Sequence, residues 1–393
     1  MRDMIALEAL PLSFHAGVLR GPKQLEIVEI PIWPIESYQD TDIVMIRVEA
    51  CGVCGSDFRY FLGENPWAQH TLGKFKPNSP NIILGHEYAG TVVAVLSDQN
   101  RHLLGKRVAP MCSKVCGACE DCLNGRGHLC ANTVHSGHGQ GWGEQEFFPG
   151  AYGKYAPAWG ASCSVIPDHI SMTEAAMMDI LAVCVHVSDQ GEIKPGQAVL
   201  IIGGGPAGNG VAQVARSRGA SKVVILDQSN HALDVARTQG FEDVIDTRKM
   251  DQRDVFDAIG GIQFGLVFDT VGTAESLNLG LSVLDNGGTL VNMAVHDHDI
   301  PLNFMRLSGE RKIVTSCNFK EPDFGIALGM LAAGELSVKE WFTMISLDEI
   351  PGWFDRITSM NSEKGVFKLI IDPWNINSLQ ILGHFEFLQP KCD

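Results

Sequence analysis

Along its first fifty residues the chain alternates short apolar runs with turn signals. Gly21-Pro22 and the stretch Pro31–Pro34 punctuate the runs, and Ile43-Val-Met-Ile-Arg-Val48 has the β-branched composition of a strand. Ala89-Gly-Thr-Val-Val-Ala-Val-Leu96 reads as a buried strand, and Cys163-Ser-Val-Ile166 as another. Residues 58–81 read as a long polar and aromatic loop holding Trp67 and His70, and 131–160 as irregular chain rich in Gly, His and aromatics. The pattern changes at Ser171-Met-Thr-Glu174, a capping box that predicts a helix running through Val187. From there apolar strands and helical segments alternate: Val199-Leu-Ile-Ile202, the helical Val211–Arg216, Lys222-Val-Val-Ile-Leu226, then strands at Asp243–Ile245, Leu266–Phe268, Gly288–Val291 and Lys312–Val314. Such alternation predicts a doubly wound parallel sheet, and with it an α/β fold. Helices near 324–336 and 347–360 and a strand Val366–Ile371 return the chain to its first half. No pattern assigns a role to 374–393.

Composition narrows the function classes. With 393 residues the chain is long enough for two domains, and 45% apolar residues with mean hydropathy near zero are usual for a globular protein. A formal charge of -16 leaves no basic stripe for phosphates, so no nucleic-acid partner is expected. The start, Met1-Arg-Asp-Met-Ile-Ala-Leu-Glu8, lacks the apolar core of a signal peptide, and no run of eighteen apolar residues spans a membrane. A cytoplasmic location is the expectation. The eleven cysteines then read as metal ligands and buried thiols rather than disulfides.

Three residue groups carry chemistry. Cys51-Gly-Val-Cys-Gly-Ser-Asp57 and Gly85-His-Glu87 set thiol and imidazole, the donors a borderline-soft ion prefers, beside carboxylates that can orient them. A redox reading of Cys51 and Cys54 would need a strand-to-helix setting that the pattern does not suggest. Cys116, Cys119, Cys122 and Cys130 place four thiolates within fifteen residues, the number that closes a tetrahedral site, for zinc or for an iron–sulfur cluster. Cys112 stands outside this spacing and is left unassigned. His135 and His138 read as solvated loop histidines, with extra metal ligands as the alternative. Asp179 lies on the predicted helix among Met177, Met178, Ile180 and Leu181, where an isolated carboxylate is costly unless a cation compensates it. His186, two turns along, reads as packing or as a support behind a metal ligand. Finally, Gly203, Gly205, Pro206, Ala207 and Gly208 follow a strand and open a helix, and Asp227 ends the next strand. This is the dinucleotide fingerprint, with a carboxylate for the ribose hydroxyls and no Arg beside it, so NAD is expected over NADP. Thr270, Val271, Asn292 and Met293 follow later strands, at the edge where such sheets bind ligands.

Taken together these residues resemble the zinc-dependent medium-chain alcohol and polyol dehydrogenases, the sorbitol and threonine dehydrogenases among them. The resemblance covers nearly the whole chain. It implies a GroES-like, β-rich catalytic domain (1–168 and 320–393, with a four-Cys lobe at 112–131) and a Rossmann cofactor domain (169–319). It implies two zinc ions per chain: a catalytic one on Cys54, His86 and Asp179, and a structural one on the four clustered cysteines. Ser56 would pass on the substrate proton, Asp57 would orient His86, and Glu87 would sit behind the metal. The expected activity is NAD-dependent hydride transfer to or from an alcohol, by a homodimer or homotetramer with a small alcohol or ketone as partner. Arg59 stands where many members carry the outer histidine of the proton relay. The Asp ligand also resembles that of glutathione-independent formaldehyde dehydrogenases and dismutases. A non-catalytic nucleotide-binding relative is the reading from another class.

Overall fold

The computed structural model describes residues 4–7, 9–35, 38, 40–294, 296, 299–359 and 366–375. Most of the 374–393 stretch therefore lies outside the described residues. Two large sheets organise the rest. The first runs in the order Cys163–Val165, Arg107–Pro110, Glu87–Val95, Ile43–Gly52, Lys368–Asp372 and Phe342–Ser346, with Ile5–Ala6 and Tyr155–Trp159 paired onto its inner strands. Most of its pairings are antiparallel; the last two strands are parallel. A smaller sheet of Gln24–Pro31, Ser13–Gly21 and Ile82–Ile83 packs into the same core through Val18, Leu19 and Ile83.

The second sheet is parallel throughout, in the order Val244–Asp246, Lys222–Asp227, Ala198–Ile202, Phe264–Asp269, Leu284–Asn292 and Lys312–Thr315. Its strands are near-continuous apolar runs because helices cover both faces. The chain winds one way from Ala198–Ile202 and then the other, and this reversal opens a crevice at the strands' carboxyl ends.

One helix joins the two halves. Met178–Gln190 buries Leu181, Ala182 and Val185 in a core that contains Ala50 and Ala89 of the first sheet and Val199, Ile201 and Val211 of the second half. The sequence predicted one helix from Ser171. The structure has a capped short helix, Met172–Ala175, and then the longer one, because Met177 sits at φ -83°, ψ 1°, outside the helical basin. The expected 58–81 loop is also partly helical. Gly55–Phe61 and Pro66–Leu72 are helices, the second started by Pro66 in its first turn and by Asn65, whose side chain accepts from Ala68 N. A proline at that position starts a helix rather than breaking one.

Candidate active site

Strand Ile43–Gly52 ends at Gly52, and Cys54 caps the helix Gly55–Phe61. A strand-to-helix setting does surround Cys51 and Cys54, contrary to the sequence expectation. It does not favour a redox pair, since Cys51 is fully buried and burial pushes its pKa up, away from the reactive thiolate. His86 arrives on the neighbouring segment just before strand Glu87–Val95. The turn leading to it needs Gly85, at φ +92°, where an added Cβ would lie 2.4 Å from the Tyr152 ring.

The donor atoms of Cys54, His86 and Glu87 all lie within 4.8 Å of one another. Asp57, fully buried, ties the group together. Its Oδ2 accepts from Cys54 N at 2.9 Å and from Tyr152 Oη at 2.8 Å, and its Oδ1 lies 3.5 Å from His86 Nδ1. Burial opposes a charge on His86, but the Asp57 carboxylate and the Cys54 thiol outweigh it and raise the imidazole's pKa well above its usual value. A place that stabilises extra positive charge on a ligand is a place for a cation. Lys368 supplies one: its Nζ is 2.5 Å from Glu87 Oε2, and both side chains are buried. The sequence reading missed this residue, which it took as an ordinary strand position. The lone cation in an apolar run was the available signal.

Asp179 lines the same cleft, but it is not within the compact donor group; its Oδ1 accepts from Cys112 Sγ at 3.2 Å. Burial pushes its pKa up to about 6, against the pull of nearby His86. The competing ligand candidates are engaged elsewhere. Glu174 accepts from Ser171 N at 2.9 Å, Cys163 Sγ faces Trp159 O at 3.3 Å, and Cys184 Sγ faces Ala207 O at 3.4 Å. His135 and His138 are not solvated loop residues. Both are buried and both line the cleft, as does Cys112. His186 pairs with Asp323 at 2.8 Å beneath the cleft wall.

The cleft encloses about 420 Å³. Ser56, Trp67, His70 and the donor residues form one side, Ile180, Val183 and Val187 the flank, and Met293, Ala294 and Ser316–Phe319 the other side. These last residues follow parallel strands at their carboxyl ends, where a cofactor lies in such sheets. The glycine loop sits at the same edge. Gly203 has φ +94°, and a Cβ on Gly208 would meet Gly203 O at 1.8 Å, so strand and helix touch directly. Asp227 accepts from Gly204 N at 2.5 Å and from Ser229 N at 2.6 Å, which fixes the carboxylate beside that loop. Thr270 Oγ1 donates to Ile202 O, and Asn292 donates to Ala294 O. Val271 is partly exposed at the same sheet edge.

Away from the cleft, the four clustered cysteines form a compact group of free thiols. The Sγ atoms of Cys116, Cys119, Cys122 and Cys130 approach at 3.5, 3.5, 3.8 and 3.9 Å. A tetrahedral ion with bonds near 2.3 Å requires edges of about 3.8 Å, so the residues fit zinc. Backbone N–H groups of Ala118 and Cys119 lower the Cys116 pKa to about 6, favouring the thiolate a metal needs.

The fold and both cysteine-containing sites define a class, and sequence comparison agrees. Residues 40–168 match the alcohol dehydrogenase GroES-like domain and 206–333 the zinc-binding dehydrogenase domain. The chain belongs to the zinc-binding alcohol dehydrogenase family and is an oxidoreductase that uses zinc and a nicotinamide dinucleotide. Among its relatives, a probable D-xylulose reductase A of Aspergillus clavatus is 30% identical over 368 residues, covering 91% of this chain and 96% of that one. A putative zinc-binding dehydrogenase of Sinorhizobium meliloti, solved bound to NADP, superposes with TM-score 0.79 at 25% identity, covering 92% of this chain and 99% of the other. An Escherichia coli oxidoreductase of unknown specificity gives TM-score 0.80 at 25% identity over 92% and 99% of the chains. No helix among the described residues is long and apolar enough to cross a membrane.

Proposed function

We propose that this protein oxidises secondary alcohols or polyols with NAD and reduces the matching ketones. The observation that carries the reading is the group of Cys54, His86 and Glu87 donors at the floor of a cleft whose far side is the carboxyl edge of the parallel sheet. Bound there, zinc supplies a Lewis acid that makes a hydroxyl easier to deprotonate. Cys54 and His86 would hold it, with Asp179 as third ligand. Glu87 is the nearer carboxylate but already has Lys368 as its cation, whereas Asp179 has only a thiol donor. Zinc content separates the two: Asp179→Ala should lose the catalytic ion and keep the four-Cys one, while Glu87→Gln should retain both. The reverse result makes Glu87 the ligand.

Ser56 Oγ is buried without a partner on the cleft side of its helix, placed to take the substrate proton. Arg59 cannot accept it onward. Its guanidinium donates to Glu64 and Gln69 and lies 3.3 Å from His70 Nε2, so the outward path of the proton would have to bypass it. Asp57 holds the His86 ring in orientation. Asp227 favours NAD, and the nearby Arg248 is engaged by Asp246, whose pKa it lowers to about 2, rather than open to a 2′-phosphate. In this reading residues 1–168 and 320–393 carry substrate and zinc, and 169–319 carry NAD. Exposed Phe304 and Met305, close in sequence to the edge strand Lys312–Thr315, support a homo-oligomer. A panel of alcohols and polyols scored by NADH formation tests the activity; no turnover on any of them refutes it.

A further inference from the structure

The four-Cys lobe has almost no core of its own. Among residues 113–130 Cys130 alone is buried, and the apolar Val115 and Leu123 are 39% and 75% exposed. Its regular structure is one turn of helix, Glu120–Leu123, and a three-residue turn, Gly127–Leu129. A segment this small keeps one shape only when a metal or another crosslink fixes it, so an ion on the four thiols decides where that second turn sits.

His128 lies in the turn, two residues before Cys130, and is gripped from two sides. Its carbonyl accepts from Asn318 Nδ2 at 3.0 Å. Its ring stands edge-on to the buried His186 ring, with centroids 4.8 Å apart at 62°. His186 Nδ1 pairs with Asp323 Oδ2 at 2.8 Å, and the same oxygen accepts from Lys320 N at 2.7 Å, capping the helix Glu321–Ala332. The contacts close a ring. It runs from the lobe to the segment Ser316–Phe319, through the start of the helix that follows to Met178–Gln190, and back to the lobe. Asn318 has φ +51°, a left-handed conformation that Asn and Gly adopt more readily than other residues.

Ser316–Phe319 form the cleft wall across from the metal floor, with Met293 and Ala294 beside them. Hydride transfer requires the nicotinamide to lie in this cleft. Asp227 and the glycine loop, which take the adenosine ribose and the pyrophosphate, are not among the cleft's lining residues. The segment that Asn318 tethers therefore serves the reacting end of the cofactor.

We propose that Asn318 is a positioning residue: by tying the cleft wall to the four-Cys lobe, it makes the grip on the nicotinamide end depend on whether the lobe holds its ion. The proposal rests on the dehydrogenase reading above and gives the distant metal site a part in cofactor binding. The test measures binding of NADH, and of ADP-ribose, which lacks the nicotinamide, to wild type, Asn318→Gly, Cys119→Ser and the double variant, with zinc content alongside. Glycine accepts the left-handed backbone, so Asn318→Gly removes the hydrogen bond without strain.

Asn318→Gly should keep its full zinc content and weaken NADH about threefold, the scale of one exposed hydrogen bond, with ADP-ribose unchanged. Cys119→Ser should weaken NADH by a similar factor, and the double variant no further than either single, because both changes cut one link. NADH binding unchanged in Asn318→Gly, ADP-ribose weakened as much as NADH, or a double variant whose losses multiply overturns the proposal and leaves the dehydrogenase standing. Wild-type protein that binds neither ligand retires the dehydrogenase reading and the proposal with it. Should the Cys variant not fold, the same coupling is read in reverse, since linkage is reciprocal. Saturating NADH should tighten zinc on the lobe about threefold in wild type and not in Asn318→Gly, measured by competition with a chelator; equal tightening in both overturns the proposal.

Discussion

Replacing Lys368 by Met isolates the buried ion pair under the metal floor. The ammonium of Lys368 and the carboxylate of Glu87 are 2.5 Å apart, with side chains 6% and 1% exposed. Burial alone would lower the Lys368 pKa, but the negative groups of Glu87, Cys54 and Asp57 outweigh it and raise it, so the lysine is charged at neutral pH. Met has a similar length and fills the apolar part of the site without the charge. Glu87 would then be buried near Asp57, Cys54 and Asp179 with its cation gone. Breaking a buried pair from one side costs about 3–5 kcal/mol, whereas replacing both partners is often close to neutral. At about 2–4 °C per kcal/mol for a domain of 150–250 residues, the single variant should melt on the order of 10 °C lower. The assay is thermal unfolding of the zinc-loaded protein for Lys368→Met, Glu87→Gln and the double variant. The double should recover most of the loss of Lys368→Met. A single variant that melts with wild type, or a double no better than the Lys single, refutes the reasoning.

Further outcomes are expected. Cys119→Ser should cost one zinc per chain and lower the melting temperature; unchanged zinc content removes the metal from that lobe. Asp227→Ala should shift the NADP-to-NAD preference by roughly tenfold or more, since charged hydrogen bonds are worth about 1.5–3 kcal/mol, and wild type working better with NADP contradicts the role. Burial and Arg59 depress the His70 pKa to about 4, and burial and His186 depress that of His128 to about 4, from an ordinary 6.5. Between those values the unfolded chain binds protons that the folded chain refuses, so stability should fall as pH drops below about 6.5. At pH 5 the loss is about 2 kcal/mol for His70 and less for half-exposed His128. Urea midpoints at pH 7 and 5 check this, with His70→Gln reducing the difference.

Much of this was legible in the chain because the relevant signals are local. Four cysteines in one loop, a glycine turn between strand and helix, and a carboxylate ending the next strand each specify their geometry over a short stretch. What stayed hidden depends on distant pairings. Lys368 is more than two hundred residues from Glu87 in sequence, and only the pairing of its strand with Ile43–Gly52 brings them together. His135 and His138 lie in a segment without periodicity, and their burial comes from distant residues, Tyr60 and His86 against the rings and Cys112 against His135. Cys112 shows no spacing relation to Asp179, yet the helix Met178–Gln190 lays the carboxylate against it.

The strand carrying Lys368 also sets an order of events during synthesis. Ile370 and Ile371 pair with Gly52 and Cys51, so the sheet that holds the metal floor stays open until almost the entire chain has left the ribosome. The parallel sheet spans 198–315 and is complete well before then. A nascent chain thus holds a finished nucleotide half beside an N-terminal half whose buried Glu87 awaits its lysine. Contacts of such sequence separation form slowly, and the Cys51–Gly52 end of strand Ile43–Gly52, which Ile370 and Ile371 later cover, is a site for mispairing in the interval. Chains cut short before Lys368 should accordingly fail in their first half while their second half folds, because Lys368–Asp372, the last strand among the described residues, carries the cation that Glu87 pairs with.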